Sequence, residues 1–267
     1  MYKVGFIGVG NIGEALLSGI ISSKWALPHE IVVTTKSSAR AQIIASTYGV
    51  DVALSNISLA ISSDIIVIAT KPNIYPSIIE EIYTALDMSK VLISITPSFT
   101  LETLQKMTNK RTNIIRTMPN TPSKVGKGMT GITASPKIRP ELLDKVISLF
   151  DSVGKTTLVK EEQMAVVGTL SGSNPAFIEY FIKVMVEYGI GQGLSESEAR
   201  LLVLETFKGT VMLVETSELS YDGLIDQVCS KGGSTIKGIE SLHQNGVADL
   251  LTNALEETTK KFKKMEK

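Results

Sequence analysis

A glycine-rich segment is the first pattern in the chain with a clear chemical meaning. Directly after the apolar, strand-like run Tyr2–Ile7 comes Gly8-Val9-Gly10-Asn11-Ile12-Gly13, and a helix-like run follows. Such a turn binds dinucleotides, because the unpaired N–H groups and positive dipole end of the helix attract a pyrophosphate. Gly8 permits the tight turn, Gly10 lets the backbone approach the phosphates and Gly13 lets the helix pack closely. We predict cofactor contacts here, Asn11 and Ile12 included; the alternative is a turn that binds nothing.

The stretch after the second predicted strand indicates which dinucleotide is bound. An NAD-preferring site places an acid here for the ribose 2′-hydroxyl, whereas this chain has Lys36-Ser37-Ser38-Ala39-Arg40. Hydroxyl and basic side chains favour a 2′-phosphate, which an acid would repel. We therefore predict NADP(H) over NAD(H), with Lys36, Ser37, Ser38 and Arg40 as phosphate contacts. A solvated helix start with Ser38 as N-cap is compatible with this role.

A glycine pair in the second half of the chain predicts a small anion site. Cys229-Ser230-Lys231-Gly232-Gly233-Ser234-Thr235 precedes a helix-like run, so backbone N–H groups and several hydroxyls face one point. The size suits a carboxylate rather than a nucleotide. The alternative is a helix–helix turn in which Ser234 caps the next helix.

A proline-stiffened loop is a third candidate site. Arg116-Thr117-Met118-Pro119-Asn120-Thr121-Pro122 ends a predicted strand, and polar groups in such a rigid loop are candidates for ligand contact. We predict that Asn120 contacts substrate. A plain turn is the alternative.

Composition excludes several classes of function. The 27 basic and 27 acidic residues cancel, which gives no indication of nucleic-acid or membrane partners. His29 and His243 are the only histidines and Cys229 is the only cysteine, so neither a metal site nor a Ser-His-Asp triad is expected. The lone cysteine and the lack of a secretory signal pattern fit a cytoplasmic protein. A cofactor must therefore supply most of the chemistry.

The elements that position these sites alternate regularly in the first part of the chain. Strands are predicted at Tyr2–Ile7, Ile31–Thr35, Asp51–Ala53, Ile65–Ala69, Val91–Ser94, Asn113–Arg116, Gly131–Ala134 and near Thr156–Leu158. Helical runs lie between most of them, which predicts a Rossmann-type, doubly wound parallel sheet over residues 1–160.

From Glu161 onward the pattern is helical. The runs are Glu161–Leu170, Ala176–Gly189 after a break at Ser171–Pro175, Ser195–Glu215, Tyr221–Val228, Ser234–Gln244 and Val247–Lys264. So many apolar-striped helices exceed what one small bundle buries, so residues 161–267 are predicted to dimerise. The glycine-pair site within them predicts that they also bind substrate.

With both halves in view, the chain resembles the pyrroline-5-carboxylate reductases. The resemblance rests on five segments in order: Gly8–Gly13, Thr70-Lys71-Pro72, Met118–Pro122, Ser171–Phe177 and Ser230–Thr235. It implies a Rossmann domain and a helical domain that interlocks with a partner subunit, in homodimers that often assemble into decamers. It also implies NADPH-dependent reduction of L-1-pyrroline-5-carboxylate to L-proline.

The resemblance also assigns residues. It implies cofactor contacts for Asn56 and for the segment Ala69, Thr70, Lys71 and Pro72. It implies that the substrate carboxylate lies on Ser230–Ser234 and that the Thr235 hydroxyl bonds the ring nitrogen.

Two departures from the family pattern keep other functions open. Lys231 stands where the family usually has Pro, and Asn174 where it has Gly. A reductase-like paralogue with a regulatory role is one alternative. A β-hydroxyacid dehydrogenase, which would need a catalytic lysine such as Lys183, is another.

Overall fold

A computed structural model describes residues 1–266 and contains one eight-stranded sheet. The strands are β1 (Tyr2–Ile7), β2 (Ile31–Thr34), β3 (Asp51–Val52), β4 (Ser63–Ile68), β5 (Val91–Ser94), β6 (Asn113–Met118), β7 (Gly128–Ala134) and β8 (Gly154–Leu158). Their order across the sheet is β3-β2-β1-β4-β5-β6-β7-β8. Strand order reverses between β1 and β4, and this is the position at which doubly wound sheets bind ligands.

The helices of the first part connect the strands. They are α1 (Asn11–Ser22), α2 (Ser38–Tyr48), α3 (Asn56–Ser62), α4 (Tyr75–Ile82), α5 (Leu101–Met107) and α6 (Pro140–Asp151). The predicted doubly wound sheet followed by a helical second half is thus confirmed.

One strand departs from the predicted parallel arrangement. β7 runs antiparallel to β6, with Met118 opposite Gly131, whereas the other neighbouring pairs are parallel. The connection, residues 119–127, is too short for a crossover, which takes a dozen or more residues. The chain must therefore turn back beside β6.

Alternate residues of the central strands enter two separate cores. In β4, Ile65 and Val67 pack with Leu16 of α1, whereas Ile66 and Ile68 pack on the other face of the sheet. These residues are fully or almost fully buried. This two-sided burial explains why the strand sequences are continuous apolar runs.

The second half contains α7 (Met164–Val167), α8 (Asn174–Gly191), α9 (Glu196–Thr216), α10 (Tyr221–Val228), α11 (Ser234–Gln244) and α12 (Val247–Met265). The break predicted at Ser171–Pro175 is wrong. Gly168–Ser173 forms a π-helical segment that joins α7 to α8 without interruption. Pro175 has no N–H to donate, and the change of helical register accommodates the missing bond.

The chain forms two compact units. The first comprises Met1–Pro175 with residues 258–266, and the second comprises Ala176–Glu257. The first unit extends past residue 160 because the helix there packs on the sheet, with Val167 close against Gly131. Within the same unit, Thr169 shares a 2.7 Å hydroxyl contact with Thr259. The functional division at residue 160 stays a prediction.

Within residues 1–266, no helix is both long enough and apolar enough to span a membrane.

Candidate functional site

The glycine turn is built by the ends of three neighbouring strands. Ile7, the last residue of β1, lies opposite Thr34 of β2 on one side and Ile68 of β4 on the other. Gly8 then takes φ = +83° and donates its N–H to the Thr34 carbonyl at 2.8 Å. A side chain at Gly8 would collide with Thr70, so both conformation and space require glycine here.

The space around Gly10 is open, whereas the space around Gly13 is filled. A Cβ on Gly13 would lie 2.9 Å from the Ala69 Cβ, so α1 packs directly against the end of β4. A Cβ on Gly10 would have only the Ala69 carbonyl oxygen within 4 Å, at 3.9 Å. Gly10 is also the N-cap of α1 and supplies no side-chain cap. Open space beside uncapped N–H groups fits a dinucleotide pyrophosphate.

The loop after β2 lies beside this turn. The predicted N-cap at Ser38 is wrong: Ser37 caps α2, its Oγ accepting from the Arg40 N–H at 3.3 Å, and Ser38 is the first helical residue. The reason is that Ser37 has extended backbone angles, as an N-cap requires. Lys36 and Ser38 are exposed, while the Arg40 guanidinium pairs with Glu14 of α1.

The segment after β4 lies next to the glycine turn, at the carboxyl ends of the strands. Ala69 is buried and donates its N–H to the Ile7 carbonyl at 2.9 Å. The Thr70 Oγ1 atom is buried with no hydrogen-bond partner among the described residues. Lys71 is exposed, and Pro72 begins a short 3₁₀ turn. Gly8–Gly13, Ser37 and Ala69–Pro72 thus follow the carboxyl ends of the neighbouring strands β1, β2 and β4. Their contact with a cofactor stays a prediction.

Asn56 lies beside the carboxyl end of β2, and its side-chain amide makes two hydrogen bonds. Its Oδ1 accepts from the Thr34 hydroxyl at 2.6 Å, and its Nδ2 donates to Glu81 at 2.7 Å. The side chain is therefore held in one orientation beside the end of β2. Its predicted role as a cofactor contact is not tested by these bonds.

Asn120 is buried and ties the loop after β6 to two neighbours. Its Oδ1 accepts from the Met129 N–H at 2.9 Å, and its Nδ2 donates to the Ser171 carbonyl and hydroxyl, each at 3.3 Å. Ser171 in turn donates to the Met129 carbonyl at 3.1 Å. The amide therefore joins β7 to the π-helical segment. Its predicted contact with substrate stays a prediction.

The Gly-Gly turn belongs to the second unit. Gly232 has φ = +75°, and Gly233 is the N-cap of α11, so the predicted capping by Ser234 is wrong. Ser234 has already entered the helix, and no side chain caps it. A Cβ on Gly233 would lie 2.5 Å from Ser230 Oγ and 3.1 Å from the Ser230 carbonyl oxygen, so the turn is tightly packed at this position. Lys231, Ser234 and Thr235 are exposed, and so is Ser230.

The uncapped end of α11 leaves its first backbone N–H groups without a side-chain acceptor. With Ser230, Ser234 and Thr235 beside them, these groups can hold a small anion. Within residues 1–266, no cluster of three His, Cys, Asp or Glu side chains could hold a metal ion.

Two polar clusters were missed by sequence reasoning. Glu14 accepts from both Arg40 and Tyr48 at the glycine turn. Arg116 is buried on β6 and pairs with Glu161 at 2.7 Å and with Glu266 at 2.8 Å. An acid in the first turn of α1 was visible in the sequence, but its partners are 26 and 34 residues away.

The chain is similar to known proteins over its full length. Residues 161–265 match the family described as pyrroline-5-carboxylate reductase dimerisation, and residues 3–98 match NADP oxidoreductase coenzyme F420-dependent. The chain is 33% identical over 266 residues to the pyrroline-5-carboxylate reductase of Escherichia coli strain K12, covering 99% of this chain and 98% of that protein. The Synechocystis reductase is 34% identical over 253 residues, covering 95% and 94%.

Solved structures of pyrroline carboxylate reductases are also similar to this chain over its full length. The pyrroline carboxylate reductase of Plasmodium falciparum with NADP bound superposes with a TM-score of 0.92 at 32% identity, covering 99% of this chain and 98% of that one. The Coxiella burnetii reductase gives a TM-score of 0.89 at 29% identity, covering 100% and 99%.

Proposed function

The chain belongs to the pyrroline-5-carboxylate reductase family, and from this premise we propose that it reduces L-1-pyrroline-5-carboxylate to L-proline with NADPH. This is the last step of proline biosynthesis. The observation that carries the proposal is the uncapped Gly-Gly turn before α11, where the N-cap Gly233 has no side chain to satisfy the first N–H groups. An α-carboxylate supplies the missing acceptor.

The second unit would hold the substrate. Ser230 and the backbone N–H groups of Gly232 and Ser234 bind the carboxylate, whereas the Gly233 N–H already donates to the Ser230 carbonyl at 2.9 Å. Exposed Lys231 adds positive charge nearby. The Thr235 hydroxyl bonds the ring nitrogen and thereby fixes the orientation of the C=N bond. Holding the ring in one pose is the main contribution these residues make to the rate.

The chemistry needs no nucleophile from the protein. Bound NADPH supplies a hydride for the imine carbon, which is electrophilic once the ring nitrogen is protonated. The Gly8–Gly13 turn would hold the pyrophosphate against α1, and Asn56 and Ala69–Pro72 would line the same edge. A protein that only positions the substrate and the cofactor needs few nucleophilic side chains, which fits a chain with two histidines and one cysteine.

Preference for NADPH over NADH is part of the proposal. It is supported by Ser37 at the start of α2, by exposed Lys36 and Ser38, and by the basic residue Arg40 in the first turn of α2. No Asp or Glu lies in residues 35–40 to repel a 2′-phosphate.

We further propose that the second unit forms a homodimer. Its helices carry large apolar side chains that are exposed in the single chain, among them Tyr180, Met185, Tyr188, Leu201, Leu202, Met212 and Leu213. Exposed apolar surface of this extent is typical of an interface. Light scattering after gel filtration should give at least a dimer, and a decamer would match the larger assembly that the family resemblance implies. A monomer would contradict the dimer. A cytoplasmic location stays a prediction.

Purified protein, NADPH and pyrroline-5-carboxylate form the deciding assay. We expect NADPH absorbance to fall only when the imine is present, and to fall faster than NADH absorbance at equal concentration. Hydroxyisobutyrate with NAD(P) is the control for a dehydrogenase. Binding of NADPH without turnover would instead support an accessory, non-catalytic protein.

A further inference from the structure

An ion pair joins the first turns of α1 and α2. Arg40 Nη2 lies 2.5 Å from Glu14 Oε2, although the two side chains are 40% and 30% exposed. Glu14 is in the first turn after the glycine-rich segment, and Arg40 is in the first turn after the loop that follows β2. The pair therefore connects the element predicted to hold the pyrophosphate with the element predicted to hold the ribose.

Tyr48 holds the other oxygen of the same carboxylate. Its hydroxyl donates to Glu14 Oε1 at 3.0 Å. Arg40, Ile44 and Tyr48 follow at intervals of four on α2, so they share the helix face on which Ile44 is buried. Desolvation, followed by the hydrogen bond to Glu14, raises the pKa of Tyr48, which agrees with a phenol that donates to a carboxylate. Glu14 is thus fixed from two sides.

Arg40 retains donors for a ligand. A guanidinium has five N–H groups in a planar fork, and Glu14 accepts only from Nη2. The other side-chain donors have no hydrogen-bond partner among residues 1–266. The Arg40 backbone N–H donates to Ser37 Oγ at 3.3 Å, so the residue that carries this guanidinium adjoins the loop of Lys36–Ser38.

We propose that Glu14 and Tyr48 are positioning residues that hold the Arg40 guanidinium in the orientation that binds the 2′-phosphate of the cofactor. The inference rests on the proposed preference for NADPH. It adds that this preference depends on residues outside the loop after β2, namely Glu14 on α1 and Tyr48 at the end of α2. Glu14 acts through Arg40 and does not itself contact the phosphate.

The expected direction follows from side-chain entropy. A free arginine side chain samples many rotamers, and an arginine already fixed by an ion pair loses less rotamer entropy when it binds. The opposing effect is repulsion between the Glu14 carboxylate and the phosphate. That repulsion is reduced because Glu14 is already neutralised by Arg40 and lies at the positive end of α1.

The test uses two adenine nucleotides that differ in the phosphate alone. Calorimetry measures the Kd of adenosine 2′,5′-bisphosphate and of adenosine 5′-monophosphate for the full-length protein. Glu14→Ala should weaken the bisphosphate about fivefold, the effect of one orienting hydrogen bond of about 1 kcal/mol. Tyr48→Phe should give a smaller loss in the same direction. The monophosphate should bind equally to all variants.

A double-mutant cycle separates positioning from a general structural role. In an Arg40→Ala background, Glu14→Ala should have no further effect on bisphosphate affinity, because there is no guanidinium left to orient. Glu102→Ala, which breaks the exposed Glu102–Lys106 pair on α5, is the matched control and should change neither Kd.

Three results would overturn the inference: tighter or unchanged bisphosphate binding in Glu14→Ala, equal losses for both nucleotides, or additive effects in the cycle. Failure of the underlying proposal looks different. If Arg40→Ala itself leaves bisphosphate affinity unchanged, Arg40 is not a phosphate contact. If Arg40→Ala weakens it and Glu14→Ala does not, only the positioning role is wrong.

Discussion

Gly13 approaches Ala69 so closely that a Cβ on Gly13 would lie 2.9 Å from the Ala69 Cβ. This contact sets the distance between α1 and the end of β4. We predict that Gly13→Val pushes the helix away, lowers the free energy of unfolding by about 1–3 kcal/mol and weakens NADPH binding at least tenfold. Urea unfolding and a fluorescence titration with NADPH check both parts.

Gly10→Ala is the matched control for that prediction. Its Cβ would meet only the Ala69 carbonyl oxygen at 3.9 Å, and its φ of −84° suits any residue. Stability should therefore change by less than about 0.5 kcal/mol, whereas NADPH affinity should fall because the added methyl occupies the space left for the pyrophosphate. Unchanged affinity in Gly10→Ala would contradict the assigned role of this turn.

Arg116 is expected to be a large contributor to stability. Its side chain is 1% exposed and pairs with Glu161 and Glu266, whose side chains are 31% and 24% exposed. Arg116→Met removes the charge that balances both carboxylates. We expect a loss of about 2–3 kcal/mol in urea unfolding at fixed protein concentration, below the 3–5 kcal/mol of a fully buried pair because water screens the acids.

Lys106→Met provides the comparison for Arg116. It breaks the exposed Lys106–Glu102 pair, which should add little to the free energy of unfolding because both side chains are solvated. Equal losses of stability in Arg116→Met and Lys106→Met would show that the buried ion pairs of Arg116 contribute no more than an exposed pair.

Tyr75 should make the fold sensitive to alkaline pH. Its phenol is fully buried and donates to the Ile68 carbonyl at 2.5 Å, and burial raises its pKa above the ordinary value near 10. The unfolded chain therefore loses this proton at lower pH than the folded one. The stabilisation is complete below pH of about 10 and is lost above it, at about 1.4 kcal/mol per pH unit.

Thermal unfolding between neutral pH and pH of about 11 measures this effect. Tyr75→Phe should lower stability at neutral pH, since the hydrogen bond is lost, but should show a shallower alkaline decline. Tyr83→Phe, at a partly exposed tyrosine of the first unit, is the control. An alkaline slope that is the same in wild type and Tyr75→Phe would exclude Tyr75 as its source.

Thr235 should affect turnover more than folding. Its side chain is exposed at the second position of α11. Thr235→Ala should reduce kcat about ten- to a thousandfold, and Thr235→Ser should restore most of it, because only the hydroxyl orients the ring nitrogen. Steady-state kinetics with pyrroline-5-carboxylate decide this. An alanine variant with wild-type kcat would remove Thr235 from the mechanism.

Much of the fold could be predicted from local patterns. Apolar runs correctly indicated the central strands, and the predicted bounds of β1 and α11 match the structure. The direction of β7 was missed because it depends on the length of a connection, not on the strand's own residues. The predicted N-caps, Ser38 and Ser234, each lie one residue after the observed ones, Ser37 and Gly233, because a serine occupies the position after each true cap.

The site was predictable by residue type but not by partner. The sequence pointed to Arg40 and Asn120 as polar groups near ligands, yet it could not show that Glu14 binds one or that Ser171 binds the other. Such contacts join residues 26 and 51 positions apart. They follow from the packing of whole elements, which no local spacing encodes.

Isotope transfer tests the central claim most directly. Wild-type protein would be incubated with pyrroline-5-carboxylate and NADPH carrying deuterium at the transferable nicotinamide C4 position, and the product analysed by mass spectrometry and NMR. Direct reduction of the imine predicts proline with one deuterium, at the ring carbon that was doubly bonded to nitrogen. Absence of proline, or proline without the label, would contradict the proposed function.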